Sequence, residues 1–523
     1  MTVQGPDLAR ETRKMANEQL AVLAVAATLA AYFVYRRRPS PRPATASTEI
    51  TAEELAQHTT EDSLWMAISG TVVDVTAFAA QHPGGAKILS SNAGTDATAA
   101  FNGVPHSPDA AASLAQYAVG TLADAGDAAA KALAGCLNLA DVERLAKAPG
   151  SGLSAGARAY YDAGAEDGET LAENLRVWGD WLLRPRVLVD VSAVDVGATV
   201  LGTRLELPLL AAPTALLKMS HPEGEGTVAA ACAAMHVGNC LSTTASMSIE
   251  DVRDAAPECY RWFQLYVYRD RERTRRLIER AEAAGYSAIC LTVDLPVLGN
   301  RTSLRRIGFR VPSEFKMANV AKEKETAADK AQSDKSGVSL KDPGDRRAYA
   351  LAMYDQNLSE ELIPWIASVT SLPIVVKGVL RGDSAVQATR HPQVRAVVVS
   401  NHGGRQLDGA ISPLTALPDV ANELRKVNEK RAAEGVPPVE IIVDGGVRRG
   451  RDIFKALALG AKAVLVGRPL IYGLAAGGEE GVKRVIELLE EELVTCMQLC
   501  GCQTVEQIDR SFVVHKSAPP PHQ

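Results

Sequence analysis

The stretch 400–409, SNHGGRQLDG, holds a histidine, two glycines and an arginine within four consecutive positions, directly after the apolar run Val394–Val399. An imidazole titrates near neutral pH and can accept a proton. A guanidinium three residues on offers a planar, two-pronged donor. The glycines between them, Gly403 and Gly404, allow the backbone to come close to whatever lies over the loop. His402 and Arg405 are therefore a base and a fixed cation presented by one tight turn after a strand.

Other polar residues follow apolar runs in the same way. APTA places Pro213, Thr214 and Ala215 after one run, and Ser242 follows the next. FQLYV carries Gln264 and Tyr266, LTVD carries Thr292 and Asp294, and Arg301 follows seven residues later. Lys377 ends a fifth run, VDGGVRRG supplies Asp444, Gly445, Gly446 and Arg448 after a seventh, and Gly467 and Arg468 follow the last.

The elements that must position these residues are eight apolar strands, predicted at 207–213, 238–243, 261–267, 288–294, 372–378, 396–402, 440–446 and 463–468. Helical patterns separate them, such as 270–285 and 448–460. Eight strand–helix units predict an α/β fold, a closed (β/α)8 TIM barrel whose chemistry gathers at the C-terminal strand ends. Glycine-rich turns with arginines after strands seven and eight are suited to a phosphate. The short neutral groups of Thr214, Ser242, Gln264 and Thr292 suit the polar edge of an uncharged heterocycle, and Lys377 would favour negative charge developing on it, as on a reduced flavin. No GxGxxG signature opens a βαβ unit, which weighs against NAD.

Residues 64–85 read LWMAISGTVVDVTAFAAQHPGG, with a strand at Val72, Val73 and Val75 and a turn at the histidine. His82 and His106 lie 24 residues apart, and two facing imidazoles could fill both axial positions of a haem iron.

The 523-residue chain is too long for one ordinary core. It is 46% apolar and 23% charged with a net charge of −6. That balance speaks against nucleic-acid binding. Eight cysteines in such a length make no disulfide scaffold, and Cys496, Cys500 and Cys502 lack a fourth ligand at zinc spacing. Leu20–Tyr35 is uncharged and followed by Arg36, Arg37 and Arg38, which fits either a membrane anchor or a cleaved targeting segment. The organisation expected is 1–47 anchor or targeting segment with linker, 48–122 haem module, 123–134 helical or flexible linker, 135–515 barrel and 516–523 tail. Segment 315–347, rich in charge and alanine, reads as a solvated insertion or as a lid over the barrel mouth.

Two resemblances sharpen these readings. DVTAF (74–78), HPGG (82–85), GTDATAAF (94–101) and HS (106–107) resemble cytochrome b5, which implies a small α+β domain with His82 and His106 as axial ligands of haem b. SNHGGRQLDG, APTA, HPEGE, FQLYV, LTVD, LPIVVKGV and VDGGVRRG resemble the FMN-dependent 2-hydroxy-acid dehydrogenases and oxidases. That implies FMN as cofactor, His402 as base, Asp294 pairing with the imidazolium, Tyr266 near the reacting carbon, and Arg301 and Arg405 at the substrate. Tyr160, in ARAYYDAGAEDGETL (157–171), corresponds to a carboxylate ligand, whereas Tyr161 fits core packing; Thr244 faces the substrate's side group. In that order the two domains look like a flavocytochrome b2-type L-lactate dehydrogenase. This implies cytochrome c as acceptor, a homotetramer, and a place in the mitochondrial intermembrane space or on the inner membrane. A small side chain at Thr244 puts simple L-lactate specificity in question. The alternatives are an oxidase producing hydrogen peroxide and a membrane-tethered haem carrier with an inactive barrel.

Overall fold

The computed structural model describes residues 49–68, 70–83, 85–102, 114–123, 125–148, 151, 153–321, 334–336 and 344–518. The expected apolar segment Leu20–Tyr35 and His106 lie outside the described residues. Among the described residues no helix is long and apolar enough to cross a membrane. The chain forms two compact units, dividing between Asp124 and Ala125.

The smaller unit is built on a five-stranded sheet: β1 (Glu49–Ile50), β2 (Thr59–Thr60), β3 (Ser63–Ile68), β4 (Thr71–Asp74) and β5 (Ala118–Leu122), in the order β1-β5-β4-β3-β2. Alternation along β3 and β4 divides its side chains between two faces. Leu64, Met66, Ile68 and Val73 pack with Phe78, Leu89 and Phe101 on one side, while Ala67 and Val72 pack with Ile50 and Leu55 on the other. The Asp-x-Thr stretches are turn devices. Asp74 Oδ1 accepts from Thr76 N at 3.0 Å and Thr76 Oγ1 at 2.6 Å, and Thr76 Oγ1 accepts from Leu64 N at 2.8 Å. Asp96 holds Thr98 N in the same manner at 2.9 Å.

In the larger unit, strand β6 (Trp181–Leu183) pairs with β17 (Val513–His515), and β7 (Ala198–Val200) forms a hairpin with β8 (Thr203–Leu205). Between them runs a closed, all-parallel barrel of β9 (Leu209–Ala211), β10 (Gly238–Ser242), β11 (Arg261–Leu265), β12 (Ala288–Thr292), β13 (Ile374–Val379), β14 (Val394–Val399), β15 (Glu440–Val443) and β16 (Ala463–Val466). All eight predicted strands are present, and those expected at 207–213, 261–267, 288–294, 396–402, 440–446 and 463–468 stop two or three residues earlier than the apolar pattern suggests. The surplus residues, including His402 and Asp444, are the first residues of the mouth loops.

The barrel interior follows the two-residue period of its strands. Leu210, Cys240, Trp262, Cys290, Val375, Val398, Ile442 and Leu465 form one buried cluster, sealed at the N-terminal strand ends by Val200 and Leu205 of the hairpin. Two residues further along, the same inward register brings Ser242, Gln264, Thr292, Lys377, Ser400 and Asp444 into a polar layer at the mouth. The expected linker is in part an element of this unit: Ala125–Ala134 is a helix, and its buried Leu133 lies against Gly477.

The 315–347 segment departs from a plain solvated insertion at both described ends. Met317, Asn319 and Val320 are buried, and Asn319 Nδ2 donates to Ser242 O and Thr243 O while its Oδ1 accepts from Ile249 N. At the other end a helix, Arg346–Met353, begins against the barrel mouth.

Candidate active site

One cavity opens at the C-terminal ends of the barrel strands, and the sequence-derived residues converge on it. Tyr160, Pro213, Thr214, Ala215, Ser242, Thr244, Gln264, Tyr266, Thr292, Arg301, Lys377, His402, Arg405, Asp444, Gly445, Gly446, Arg448, Gly467 and Arg468 all line it. Asp294 stands behind this lining, against His402.

His402 occupies a left-handed backbone conformation with φ 61°. That region is unusual for a residue with a side chain. Its N–H is held by Ser400 Oγ at 3.0 Å, so the turn is fixed from within the strand register. Nδ1 lies 2.9 Å from Asp294 Oδ1, and Nε2 lies 3.4 Å from the Tyr266 hydroxyl. Burial pushes the Asp294 carboxyl up, but His402 and Lys377 outweigh it and hold the group below the usual carboxylate range. Gly378 makes the approach possible: its φ is 110°, and a Cβ there would lie 2.5 Å from Asp294 Cβ. Only glycine meets both conditions without strain.

Arg405 donates through Nη1 to the carbonyls of Tyr160, Tyr161 and Ala163 at 3.0, 3.2 and 2.7 Å, and its guanidinium lies 5.3 Å from the Tyr160 ring centre. Burial and the nearby Arg468 push its pKa down to about 10. Arg301 is buried with Nε unbonded, and burial together with Arg405 pushes it down to about 9. Two cations that burial and mutual repulsion both disfavour describe a cavity suited to an anion. Tyr160 stacks on Phe309 at 5.5 Å, whereas Tyr161 donates its hydroxyl to Leu216 O at 2.7 Å, a packing role that matches the expectation for it.

The polar layer is internally bonded. Gln264 Nε2 donates to Thr292 Oγ1 at 3.0 Å, Ser242 Oγ donates to Gln264 Oε1 at 3.3 Å, and Thr244 N donates to Ser242 Oγ at 3.2 Å. Lys377 Nζ lies 2.9 Å from Asp444 Oδ2 and donates to Ser400 Oγ at 2.7 Å. Burial lowers the Lys377 pKa, but Asp444 and Asp294 more than reverse this and raise it, so the ammonium is secure.

These groups fit a bound FMN. Arg448 donates through Nη1 to Val447 O, and burial lowers its pKa. Arg468 donates to Tyr161 O, Gly403 O and Ala163 O, and burial and Arg448 lower it to about 10. Two adjacent cations that form no direct ion pair with a carboxylate of the described residues, beside Gly445, Gly446 and Gly467, are suited to a phosphate. Gly446 admits no side chain, because a Cβ would lie 1.7 Å from Asn174 O. The neutral ladder and the Lys377 cation supply what a flavin's polar edge requires.

Several residues in and behind the lining escaped the sequence reading. Asn174 exchanges two 2.8 Å hydrogen bonds with Asn401, whose Oδ1 also accepts from Gly404 N at 3.0 Å. Asp408, in the loop that carries His402, accepts from the N–H groups of Asp167, Gly168, Glu169 and Thr170 at 3.1, 2.9, 3.2 and 2.8 Å. It so anchors the start of the helix Glu169–Arg176 beside the mouth. Arg346 and Tyr354 come from the end of the 315–347 segment and just beyond it; Tyr354 stacks on Tyr266 at 5.0 Å. The polar side chain after an apolar run marks strand-end residues, and these sit elsewhere.

In the smaller unit, His82 follows the helical turn Thr76–Gln81, edge-on to Phe78 at 5.7 Å. Its Nδ1 is buried and has no hydrogen-bond partner, and the apolar cluster of Leu64, Met66, Val73 and Phe101 lies in the same unit. An unsatisfied imidazole beside an apolar core fits a haem ligand. His106 is outside the described residues, so this geometry concerns one ligand of the expected pair.

Comparison with known proteins agrees with both units. The cytochrome b5-like haem/steroid binding domain matches residues 51–123, and the FMN-dependent dehydrogenase family matches residues 151–515. The chain is 45% identical to 2-hydroxyacid oxidase 1 of Mus musculus over 355 residues, 68% of this chain and 90% of that protein. It is 44% identical to an L-lactate oxidase of Nostoc over 388 residues, 73% of this chain and 99% of that protein. A soluble mutant of the membrane-associated (S)-mandelate dehydrogenase from Pseudomonas putida superposes with a TM-score of 0.63 at 32% identity, covering 72% of this chain and 99% of its own. The chain thus belongs to the FMN-dependent dehydrogenases that oxidise 2-hydroxy acids, with a haem-binding cytochrome b5-like domain ahead of the barrel in a flavocytochrome b2-like order.

Proposed function

We propose that this chain oxidises an L-2-hydroxy acid to the 2-oxo acid, L-lactate to pyruvate in the smallest case, and delivers the electrons singly to cytochrome c. The observation that carries the reading is the pairing of His402 with Asp294 in the cavity that Arg405 also lines. FMN, when bound, takes up two electrons, and haem passes electrons on one at a time. The chain's own residues do the rest. Arg405 and Tyr160 bind the substrate carboxylate and set its orientation. His402 Nε2 takes a proton from the substrate, and the Asp294 carboxylate stabilises the imidazolium through Nδ1. Tyr266 stands by the same nitrogen and positions the substrate hydroxyl. Arg448 and Arg468 hold the cofactor phosphate, and Lys377 its polar ring edge.

A second reading, transfer to oxygen with formation of peroxide, is favoured by the oxidase names of the relatives. The cytochrome b5-like domain supports the first: His82, with His106 as the resemblance implies, would hold a haem there, and such a haem would supply one-electron transfer. Anaerobic mixing with L-lactate, with flavin and haem absorbance followed separately, tests the proposal. Flavin reduction followed by haem reduction, and cytochrome c turnover that exceeds peroxide release in air, is the expected result. Haem that stays oxidised while the flavin is reduced favours the oxidase.

A further inference from the structure

We infer that the pocket prefers a 2-hydroxy acid whose side group ends in a second carboxylate, and that Arg346 binds that carboxylate. The inference rests on the reaction proposed above and names the substrate class for the same cavity.

Arg346 is the first residue of the helix Arg346–Met353, whose start is fixed by the Asp345 side chain accepting from Arg347 N and Ala348 N. The guanidinium lines the cavity alongside Tyr160, Tyr266 and Tyr354. Its Nη1 donates to the Met317 sulfur at 2.7 Å. A thioether is a weak acceptor for a cation. No carboxylate among the described residues forms an ion pair with Arg346.

A charge count of this side of the cavity shows an excess. Arg301, Arg346 and Arg405 are three cations, and the carboxylate on the same side, Asp294, is engaged with His402. A substrate with one carboxylate supplies one negative charge and occupies Arg405. Burial disfavours the Arg346 charge, but the surrounding tyrosines Tyr354, Tyr160 and Tyr266 more than offset this and raise its pKa, so the cation persists in a partly buried place where no carboxylate of the described residues answers it. Its field already reaches the residues around the reacting centre: burial raises the Tyr160 pKa, but Arg346, ahead of Arg301 and Arg405, pulls it below its ordinary value.

Room and a further donor accompany the charge. Thr244, which lines the cavity where the resemblance places the substrate's side group, is small and already satisfied by Ser242 Oγ at 3.2 Å. The Tyr354 hydroxyl is buried near Arg346 without a well-aligned hydrogen bond, and its ring is held against Tyr266. An uncharged side group would leave both the Arg346 cation and the Tyr354 hydroxyl unanswered, whereas a carboxylate can accept from both.

The test uses full-length holoenzyme and two matched pairs of probes. Flavin reduction is measured anaerobically with (S)-2-hydroxyglutarate and with (S)-2-hydroxybutyrate. Binding of the corresponding 2-oxo acids, 2-oxoglutarate and 2-oxobutyrate, is titrated by the change in oxidised-flavin absorbance. The diacid is expected to lead by about tenfold or more in both the second-order rate constant of flavin reduction and Kd, the size of one charge-assisted contact. Arg346→Gln should collapse the diacid-to-monoacid ratio, and Arg346→Lys should restore part of it. A wild-type preference for the monoacid overturns the inference. So does an equal loss for both probes in Arg346→Gln, which would mean that a carboxylate of the chain itself answers Arg346. If neither hydroxy acid reduces the flavin, the proposed reaction fails, and the oxo-acid titration still decides the role of Arg346. If both reduce it without preference, only the diacid assignment fails.

Discussion

Asp294 and His402, 108 residues apart, meet at 2.9 Å across the barrel mouth, carboxylate Oδ1 to imidazole Nδ1. The contact leaves Nε2 as the nitrogen turned to Tyr266, and it places a buried negative charge behind the ring that would become cationic on taking a proton. Asp294→Asn keeps the shape and an acceptor but removes that charge. The limiting rate of flavin reduction should fall by about 10²-fold or more, with little change in apparent substrate affinity. Stopped-flow reduction at varied substrate separates the two quantities, and an unchanged limiting rate would leave Asp294 a structural role only.

The two arginines at the phosphate side differ in their commitments. Arg468 holds three backbone carbonyls, one of them Gly403 O next to the base, while Arg448 holds one. Arg448→Ala should therefore weaken FMN more than riboflavin, by about tenfold or more, because it removes a donor to the phosphate that riboflavin lacks. Arg468→Ala should weaken both flavins, since it also frees the His402 loop. Fluorescence titration of the apoprotein with each flavin checks this; equal effects of Arg448→Ala on both would move it away from the phosphate.

A pH effect on stability follows from Glu250 and Arg280, which join two barrel helices through paired 2.8 Å bonds. Arg280 pulls the Glu250 carboxyl down to about 2. Between that value and the unfolded value near about 4.3, the unfolded chain binds more protons than the folded one. The stabilisation is thus fully present above roughly pH 4.3 and is lost as pH falls toward about 2. The Glu250 side chain is 35% exposed. Solvent screening therefore reduces the contribution to about 1 kcal/mol or less. Urea unfolding of Glu250→Gln against wild type should show that gap at pH 7 and a smaller one at pH 3.5; a constant gap would mean the pair does not act through its charge.

Much of the barrel was legible because strands and their inward faces obey a two-residue period. Cys240, Trp262 and Val375 mark the interior, and Ser242, Gln264 and Lys377 two residues on mark the mouth. Strand ends were less legible: an apolar run does not announce where pairing stops, so His402 and Asp444 fell inside predicted strands. Asn174 and Asp408 were hidden for another reason. They act by holding backbone of a distant loop, and nothing in their local sequence shows which loop that is. Arg346 was hidden by composition, since the polar stretch before it masks the point where the chain returns to the mouth.

The haem assignment separates the two domains experimentally. His82→Ala or His106→Ala should abolish a six-coordinate, low-spin b-type spectrum while FMN stays near one per chain, because His82 lies in a unit with its own sheet and core. Either variant with a wild-type haem spectrum would sink the ligand assignment.

The last prediction divides the labour within the His402 loop. Gln at 402 can hydrogen-bond but cannot accept a proton at neutral pH. His402→Gln should retain FMN and substrate binding while the limiting rate of flavin reduction falls by about 10²–10⁴. Arg405 acts differently. Its Nη1 fastens the loop to the carbonyls of Tyr160, Tyr161 and Ala163, and the rest of the planar fork is available to a carboxylate. Lys at 405 keeps the charge but provides one point of contact where Arg provides two. It must also choose between the carbonyls and the substrate. Arg405→Lys should therefore raise the apparent substrate dissociation constant by about tenfold or more, the size of one charge-assisted contact. The limiting rate should fall less than in His402→Gln. Pre-steady-state flavin reduction over a range of substrate concentrations reads both variants in one experiment. A full limiting rate in His402→Gln would remove His402 as the base, and an unchanged dissociation constant in Arg405→Lys would remove the carboxylate from Arg405.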